Sequence, residues 1–571
     1  MNVKPLPVGL DNFEKLVTRG YYLVDKTLFI KELLDKRGDV NLFTRPRRFG
    51  KTLNMSMLQY FLEDARTQEG TKKDHCLLFQ GLKIMRAGKQ YLSHMGQYPV
   101  ISLSFKAARQ PDFDLAYRML VRQVADEFRR HRFVMEILPK EQKARYQQML
   151  WEKPDRENFG DALKFLSECL EQFYGKKVIV LIDEYDVPLE NAYFAGFYEP
   201  MVSLLRSLFE SVFKTNASLE FAVVTGCLRV SKESIFTGMN NLEMISIFSK
   251  SYDAFFGFTQ EEVKKICADF HLCHKYETAK EWYDGYVFGN THVYNPWSVI
   301  RFVKDMLADD TSFPAAYWAN TSSNSIVRTF IEQADVETKV EIEHLIEGGT
   351  VEKPVYEDIT YDEIYHSIDN LWNFMFFTGY FRKVSERMDA KTRQVFAVFQ
   401  IPNEEVRLIF RTKILAWFDE KVKAKDRTRL FTAFVEHHTG QLEKEITDLL
   451  LETISFNDAY ESFYHGFLLG ILSGMKGYLV KSNREGGTGR SDLYVKPLTR
   501  RREAFVLEFK VAKKFRELEQ KAREALLQIE DRQYVRELND DGYEKVARYG
   551  IAFFGKDCVV RIAEDGAEGI K

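Results

Sequence analysis

The chain has 571 residues, 45% of them hydrophobic, which is long enough for about three domains and apolar enough for sizeable cores. Eighty-four acidic side chains against 81 basic ones leave a net charge of -3, so no global electrostatic pull towards nucleic acid exists and any such binding must use local patches. The six cysteines are too scattered for a disulfide framework, and no run of about 18 apolar residues occurs, so neither a disulfide-stapled scaffold nor a membrane-spanning helix is expected.

The opening segment MNVKPLPVGLDNF has no apolar signal core, and the expectation is a soluble, cytoplasmic protein. Residues 11 to 34 read as two helix-like pieces around Tyr21, Tyr22 and Asp25. The apolar run Val40, Leu42, Phe43 then leads into TRPRRFGKT at 44 to 52 and the helix-like LNMSMLQYFLE. A strand, a basic turn and Gly-Lys-Thr opening a helix suit phosphate binding, because unpaired backbone N-H groups at a helix start attract anions. Gly50 lets the backbone come close, with Arg47, Arg48 and Phe49 completing the loop. Lys51 is expected to reach the terminal phosphates of ATP and Thr52 to coordinate Mg2+. Arg45 stands five residues before Gly50, where the usual loop has its first glycine, so a basic surface turn is the alternative at this point.

From 53 to 175 helical periodicity dominates, with QYPVISLSF at 97 to 105 as the clear strand. Lys176 to Glu184 reads KKVIVLIDE, a β-branched run ending in two carboxylates, as expected of a buried parallel strand. Asp183 is expected to hold Mg2+ through water, and Glu184 to orient or deprotonate the attacking water. The two motifs lie in the right order, about 130 residues apart, which favours a nucleotide site over two unrelated features. With FAVVT at 221 to 225 as a fourth strand, a mostly parallel sheet covered on both faces is predicted.

Residues 5 to about 240 resemble the AAA-ATPase-like family of bacterial proteins. The resemblance rests on VDKTLFIKELL at 24 to 34, RPRRFGKT at 45 to 52, LIDEYDVPL at 181 to 189 and TGCLRVSKESIFTGMNNL at 225 to 242. It implies that the arginine replacing the first glycine is a family habit and that the Tyr21 to Asp25 segment packs beside the nucleotide. It also implies that Thr225 senses the third phosphate and that Arg229 stabilises transition-state charge, a surface salt bridge being the alternative for Arg229.

From about 255 to 345 the pattern is helical, starting at FTQEEVKKI with a Thr cap. WYDGYVFG, VYNPWSVIRFV and YWANTSSN recur in the same family after the ATPase core, which implies a helical lid, although packing explains each aromatic singly. Cys267, His271, Cys273 and His274 lack the spacing of a zinc site and are expected to be ordinary residues at a helix end. Between about 346 and 440, two strand-like runs joined by a polar loop and followed by a helix fit a small winged or connecting module.

In DAYESFYHGFLLGILSG, Glu461 and His465 are four apart and share a helix face. The glycine-rich turn NREGGTGRSDLYV enters a strand carrying Asp492. In AFVLEFKVAK, Glu508 and Lys510 are two apart and point to one side. Two carboxylates and an ammonium suit Mg2+-dependent phosphodiester hydrolysis, with Asp492 and Glu508 as hard oxygen ligands and Lys510 orienting the nucleophile. Residues 455 to 560 resemble the PD-(D/E)XK nuclease superfamily: Asp492 matches the metal acid, Glu508-Phe509-Lys510 the ExK element, Glu461 the acid of the first helix and Gln528 in ALLQIE the later glutamine. Ser491 precedes Asp492, so the literal Pro-Asp pair is absent. Arg484, Arg490, Arg500 to Arg502, Lys513, Lys514 and Arg516 are expected around this site, in contact with a phosphate backbone.

The predicted architecture is α/β: a P-loop NTPase domain with a parallel sheet at 1–250, a helical lid at 251–345, a connecting, winged-helix-like module at 346–440 and a restriction-endonuclease-like α/β domain at 441–571. The expected function is ATP binding and hydrolysis coupled to a Mg2+-dependent nuclease. Its partner would be nucleic acid, DNA ahead of RNA, with no membrane and with a homo-oligomer among the expected assemblies. The alternatives are a nucleotide-dependent switch or scaffold whose nuclease fold is catalytically inactive, and an ATPase acting on protein partners.

Overall fold

The computed structural model describes residues 4–563 apart from 68, 155, 229–234, 237–238, 319–324, 357–360, 362, 365, 425–426, 452–460, 483–492 and 532–533. The chain divides into two compact units, Met1–Ile326 with Thr350–Ile409, and Val327–Gly349 with Phe410–Lys571.

In the first unit, β1 (Val40–Thr44), β2 (Val100–Ser104), β3 (Val178–Asp183), β4 (Leu219–Gly226) and β5 (Leu242–Ile245) form one sheet in the order β2-β3-β4-β1-β5. Every pairing is parallel. All residues of β1 and β3 are buried, which is why β3 reads as an unbroken apolar run up to Asp183, while in β1 the buried Asn41 donates to the Ala222 carbonyl of β4. Ser104 pairs with Asp183, and Thr44 with Gly226, so the carboxyl ends of four strands finish along one edge. Ligands of open α/β sheets bind beyond that edge. β5 contributes one fully buried residue, Ile245.

A small sheet of β6 (Phe258–Thr259), β7 (Tyr286–Phe288) and β8 (Thr291–Tyr294) follows, in the order β6-β8-β7. Thr259 caps the Gln260–Asp269 helix in a full capping box with Glu262. Asn295 caps the Pro296–Ala308 helix, accepting from the backbone N-H groups of Trp297 and Ser298. Tyr283, Tyr294, Phe302 and Val263 close the core between these helices. A second small antiparallel sheet, β9 (Val351–Pro354), β10 (Arg382–Met388) and β11 (Val395–Gln400), completes the unit.

The second unit is built on β12 (Tyr478–Ser482), β13 (Leu493–Pro497), β14 (Ala504–Val511), β15 (Val546–Phe554) and β16 (Asp557–Ala563), in chain order across the sheet. β14 and β15 are parallel and the other pairs antiparallel. The parallel step is bridged by the Leu518–Asp531 helix, as a parallel pair requires a crossover. Tyr464, Phe505, Tyr549 and Phe553 fill the core beneath the sheet. Among the described residues no helix is long and apolar enough to cross a membrane.

Candidate nucleotide and nuclease sites

The turn after β1 delivers Gly50 as the N-cap of the Lys51–Leu62 helix, in the left-handed region at φ 83°. A Cβ built there meets nothing within 4 Å, so the backbone torsion, not crowding, calls for glycine. Arg48 is also left-handed, at φ 73°. Residues 47–52 line a cleft of about 520 Å³ together with Glu184 and Glu190, walled on its apolar side by Tyr22, Pro296 and Trp297.

At the end of β3, Asp183 is 3% exposed and accepts hydrogen bonds from two hydroxyls, Thr52 Oγ1 at 2.7 Å and Thr225 Oγ1. Thr225 comes from β4, the neighbour of β3, and Thr52 from the helix after β1. The sheet order thus gathers three oxygen-bearing side chains at one point. Such hard donors suit Mg2+, with Asp183 and Thr52 the residues that would hold it. Among the described residues no group of three or more His, Cys, Asp and Glu side chains forms a ready metal cage.

Glu184 follows with φ 54°, a strained torsion for a non-glycine residue. Burial pushes its carboxyl upward, the Asp183 charge adds to this, and the Lys51 ammonium opposes both. Lys51 is 5% exposed, and its Nζ donates to the carbonyls of Arg45 at 2.8 Å and Pro46 at 3.0 Å, with Cys227 Sγ at 3.5 Å. These partners are neutral acceptors. A phosphate oxygen forms a charge-assisted bond about twice as strong.

Arg45 explains itself once its surroundings are seen. It is fully buried between the rings of Phe256 and Phe288, each 5.2 Å from the guanidinium, and donates to Thr44 O and Ile245 O. Burial lowers its pKa to about 9, with Asp253 opposing. The residue in the first-glycine position ties β1 to β5 and faces the core. Phe49 is likewise turned inward, 1% exposed and packed on Tyr286 and Phe288. Arg47 pairs with Glu190, and Arg48 lies 4.5 Å over the Trp297 ring. Arg229 falls outside the described residues.

Sequence reasoning missed Lys106 and Arg109, which line the cleft from the segment after β2, and Tyr361, which reaches it from the region of β9 to β11. The only signal for the first two was their position just past a strand end. The Tyr22 hydroxyl donates to Asp269 at 2.6 Å, and Lys26 Nζ pairs with Glu262, so the segment at 22–26 is fastened to the Gln260–Asp269 helix. Cys267 is buried and Cys273 exposed, both as free thiols.

In the second unit, Glu508 is 3% exposed on β14, and Lys510 Nζ lies 3.6 Å from its Oε1. Both therefore point to one side of the sheet. Gln528 Nε2, from the Leu518–Asp531 helix, donates to the same oxygen. That helix comes close because β15 carries Gly550 directly beside Glu508: a Cβ there would collide with Ala522 O and lie 2.9 Å from Leu526 N. His465 is 6% exposed with its ring edge-on to Phe509, 6.1 Å away. Arg490, Asp492 and the side chain of Glu461 fall outside the described residues. The first described residue of β13, Leu493, pairs with Leu507, the neighbour of Glu508.

Of the basic residues expected around this site, Arg484 and Arg490 fall outside the described residues, and the others separate into two groups. Lys513, Lys514 and Arg516 follow β14 at the Glu508 end. Arg500 to Arg502 sit in the turn before Ala504, which is itself four strand residues, or roughly 13 Å at 3.3 Å per residue, from Glu508. An antiparallel hairpin places its turn opposite the open end, so Arg500 to Arg502 do not surround Glu508.

The profile of the family described as Predicted AAA-ATPase matches residues 7–236, and that of the PD-(D/E)XK nuclease superfamily matches residues 459–562. A relative from Azotobacter chroococcum mcd 1, named as an uncharacterized protein in the vnfD 5' region, is 27% identical over 359 residues. The match covers 59% of this chain and 63% of that protein, so the chain spans less than two thirds of its relative's length. Joined to a five-stranded parallel sheet and a C-terminal mixed sheet, these matches identify the chain as one that carries an AAA-ATPase-like domain followed by a domain of the PD-(D/E)XK nuclease superfamily.

Proposed function

We propose that the first unit binds ATP with Mg2+ and hydrolyses it, and that the second unit cleaves phosphodiester bonds in nucleic acid, DNA ahead of RNA, under control of the nucleotide state. The observation that carries the reading is the convergence of Thr52, Asp183 and Thr225 beside the left-handed Gly50 and the Lys51 ammonium. The helix start and Lys51 bind the phosphates. Glu184, its proton affinity raised by burial, accepts the proton of the attacking water. Thr52 and Asp183 would hold Mg2+, which neutralises phosphate charge when bound.

At the second centre, Glu508 supplies a buried carboxylate that Lys510 and Gln528 hold in place. Mg2+ bound there would supply an activated water, and Lys510 offsets charge developing on the phosphate. Asp492 and Glu461 are assigned as the further metal ligands, and His465 and Arg490 as further residues of the nuclease site. We place the protein in the cytoplasm, with a homo-oligomer among the assemblies to be tested.

The test incubates wild type, Lys51→Ala and Lys510→Ala with DNA and with RNA, with and without ATP and Mg2+. Cutting lost in both variants supports control by ATP. Loss in Lys510→Ala alone supports a nuclease independent of the ATPase. Absence of cutting by the wild type rejects the nuclease reading in favour of a nucleotide-dependent switch.

A further inference from the structure

Among the described residues, six cationic side chains line the nucleotide cleft: Lys26, Arg47, Arg48, Lys51, Lys106 and Arg109. Lys26 is engaged by Glu262 and Ala254 O, Arg48 covers Trp297, and Lys51 rests on loop carbonyls. Arg47 and Arg109 differ from these in sharing one carboxylate. Glu190 lies 2.5 Å from Arg47 Nη2 and 2.7 Å from Arg109 Nη2. Two guanidiniums on one carboxylate leave a net positive charge beside the loop. Asp186, whose charge also acts on Arg47, accepts from the backbone N-H groups of Cys227 and Leu228.

The two arginines are not equivalent. Arg47 is part of the phosphate-binding turn, and its side chain is 24% exposed. Arg109 enters from the opposite side, on the segment following β2, and its side chain is 49% exposed, so re-pairing costs it little desolvation. β2 is the neighbour of β3, so Arg109 arrives on the side of the cleft where β3 delivers Glu184. Lys106, from the same segment, lies 3.6 Å from Asp11.

We propose that Glu190 is a stand-in anion for Arg109, and that on ATP binding Arg109 transfers from it to the terminal phosphate and stabilises the phosphoryl group in transfer. This rests on the ATPase reading above. In the step, the water oxygen bonds to the γ-phosphorus while the bond from that phosphorus to the bridging oxygen breaks. The bridging electron pair leaves with ADP, the water proton passes to Glu184, and the products are ADP and inorganic phosphate. Arg109 meets charge that grows on the γ-phosphoryl oxygens. It acts from within the same chain as the loop it serves.

The test measures ATP affinity and steady-state hydrolysis for the full chain as wild type, Arg109→Ala, Glu190→Gln and Lys51→Ala. Arg109→Ala is expected to lose about 100-fold or more in kcat with ATP affinity within about threefold of wild type, and added guanidinium ion is expected to restore part of the rate. Glu190→Gln, which frees the arginine without removing it, is expected to keep kcat within about fivefold. If Arg109→Ala turns over like wild type, or if Glu190→Gln falls as far as Arg109→Ala, the proposal is overturned while the ATPase reading stands. A wild type that neither binds nor hydrolyses ATP overturns both, and Lys51→Ala distinguishes loss of binding from loss of turnover.

Discussion

The Thr52 hydroxyl donates to Asp183 across 2.7 Å, joining the first turn of one helix to the end of a strand 131 residues later. Asp183 keeps a second hydroxyl partner in Thr225, so removing Thr52's leaves the carboxylate partly satisfied. Thr52→Val is therefore expected to cost about 1 kcal/mol of stability. Its larger effect is on Mg2+: ATP affinity measured calorimetrically with Mg2+ falls about tenfold or more, and affinity in chelator changes little. Thr52→Ser restores the difference. An equal loss with and without Mg2+ would remove Thr52 from the metal's coordination.

Arg45 offers a test of a different kind, because it holds the position where a glycine would contact phosphate yet is buried between two phenylalanines. Among the described residues no carboxylate forms a direct ion pair with it, and Asp253 acts on it only from a distance. Replacing a buried ion with an apolar group of similar length is often neutral or stabilising. Arg45→Met is expected to change unfolding free energy by no more than about 1 kcal/mol and to leave ATP affinity within about threefold. Arg45→Gly, which installs the usual loop residue, opens a cavity and costs about 3 kcal/mol or more. A large affinity loss in the Met variant would show that the guanidinium does reach the nucleotide.

β3 was legible because KKVIVLIDE is buried on both faces and ends in acids, and the loop after β1 because Gly50 and Lys51 obey a backbone rule. β5 was not, since it buries one residue of four and reads as a loop. Lys106 and Arg109 carry no motif; they matter only because β2 lies beside β3, a neighbourhood that sequence order does not state. Arg500 to Arg502 illustrate the reverse error. Proximity in sequence to Glu508 placed them at the site, but the strand between holds them at its other end. Glu405 and Ser298, bonded across 107 positions, leave no local signal at all.

Glu405 is fully buried, accepting from Ser298 Oγ at 2.8 Å and from the Trp318 N-H at 2.8 Å. Burial raises its pKa from 4.5 to about 7, more than its hydrogen bonds lower it. In the folded state the proton is held up to about pH 7, whereas the unfolded chain releases it near 4.5. Its contribution is fully present below pH 4.5 and is lost as pH rises to about 7, by roughly 3 kcal/mol in all. Glu405→Gln, which keeps the acceptor and cannot ionise, is expected to match wild type at pH 4.5 and to exceed it in urea unfolding at pH 8. A gap of the same size at both pH values would contradict this.

Gly550 sets the reach of Gln528 in the nuclease unit. It stands beside Glu508 in the parallel register, and the Leu518–Asp531 helix presses so close that a Cβ would strike Ala522 O. Backbone cannot move aside as a side chain can, so Gly550→Ala is expected to push the helix off the sheet and cost about 1–3 kcal/mol. Gln528 then withdraws from Glu508. Gln528→Leu breaks the same hydrogen bond but leaves the helix seated, so it should cost about 1 kcal/mol or less. If the bond to Glu508 serves phosphodiester cleavage, both variants lose a similar factor in cutting rate despite unequal loss of stability. Thermal unfolding and nuclease assays on the same preparations separate the two effects. Normal cutting by Gln528→Leu would leave Glu508 and Lys510 as sufficient without the glutamine, and would make Gly550 a packing residue alone.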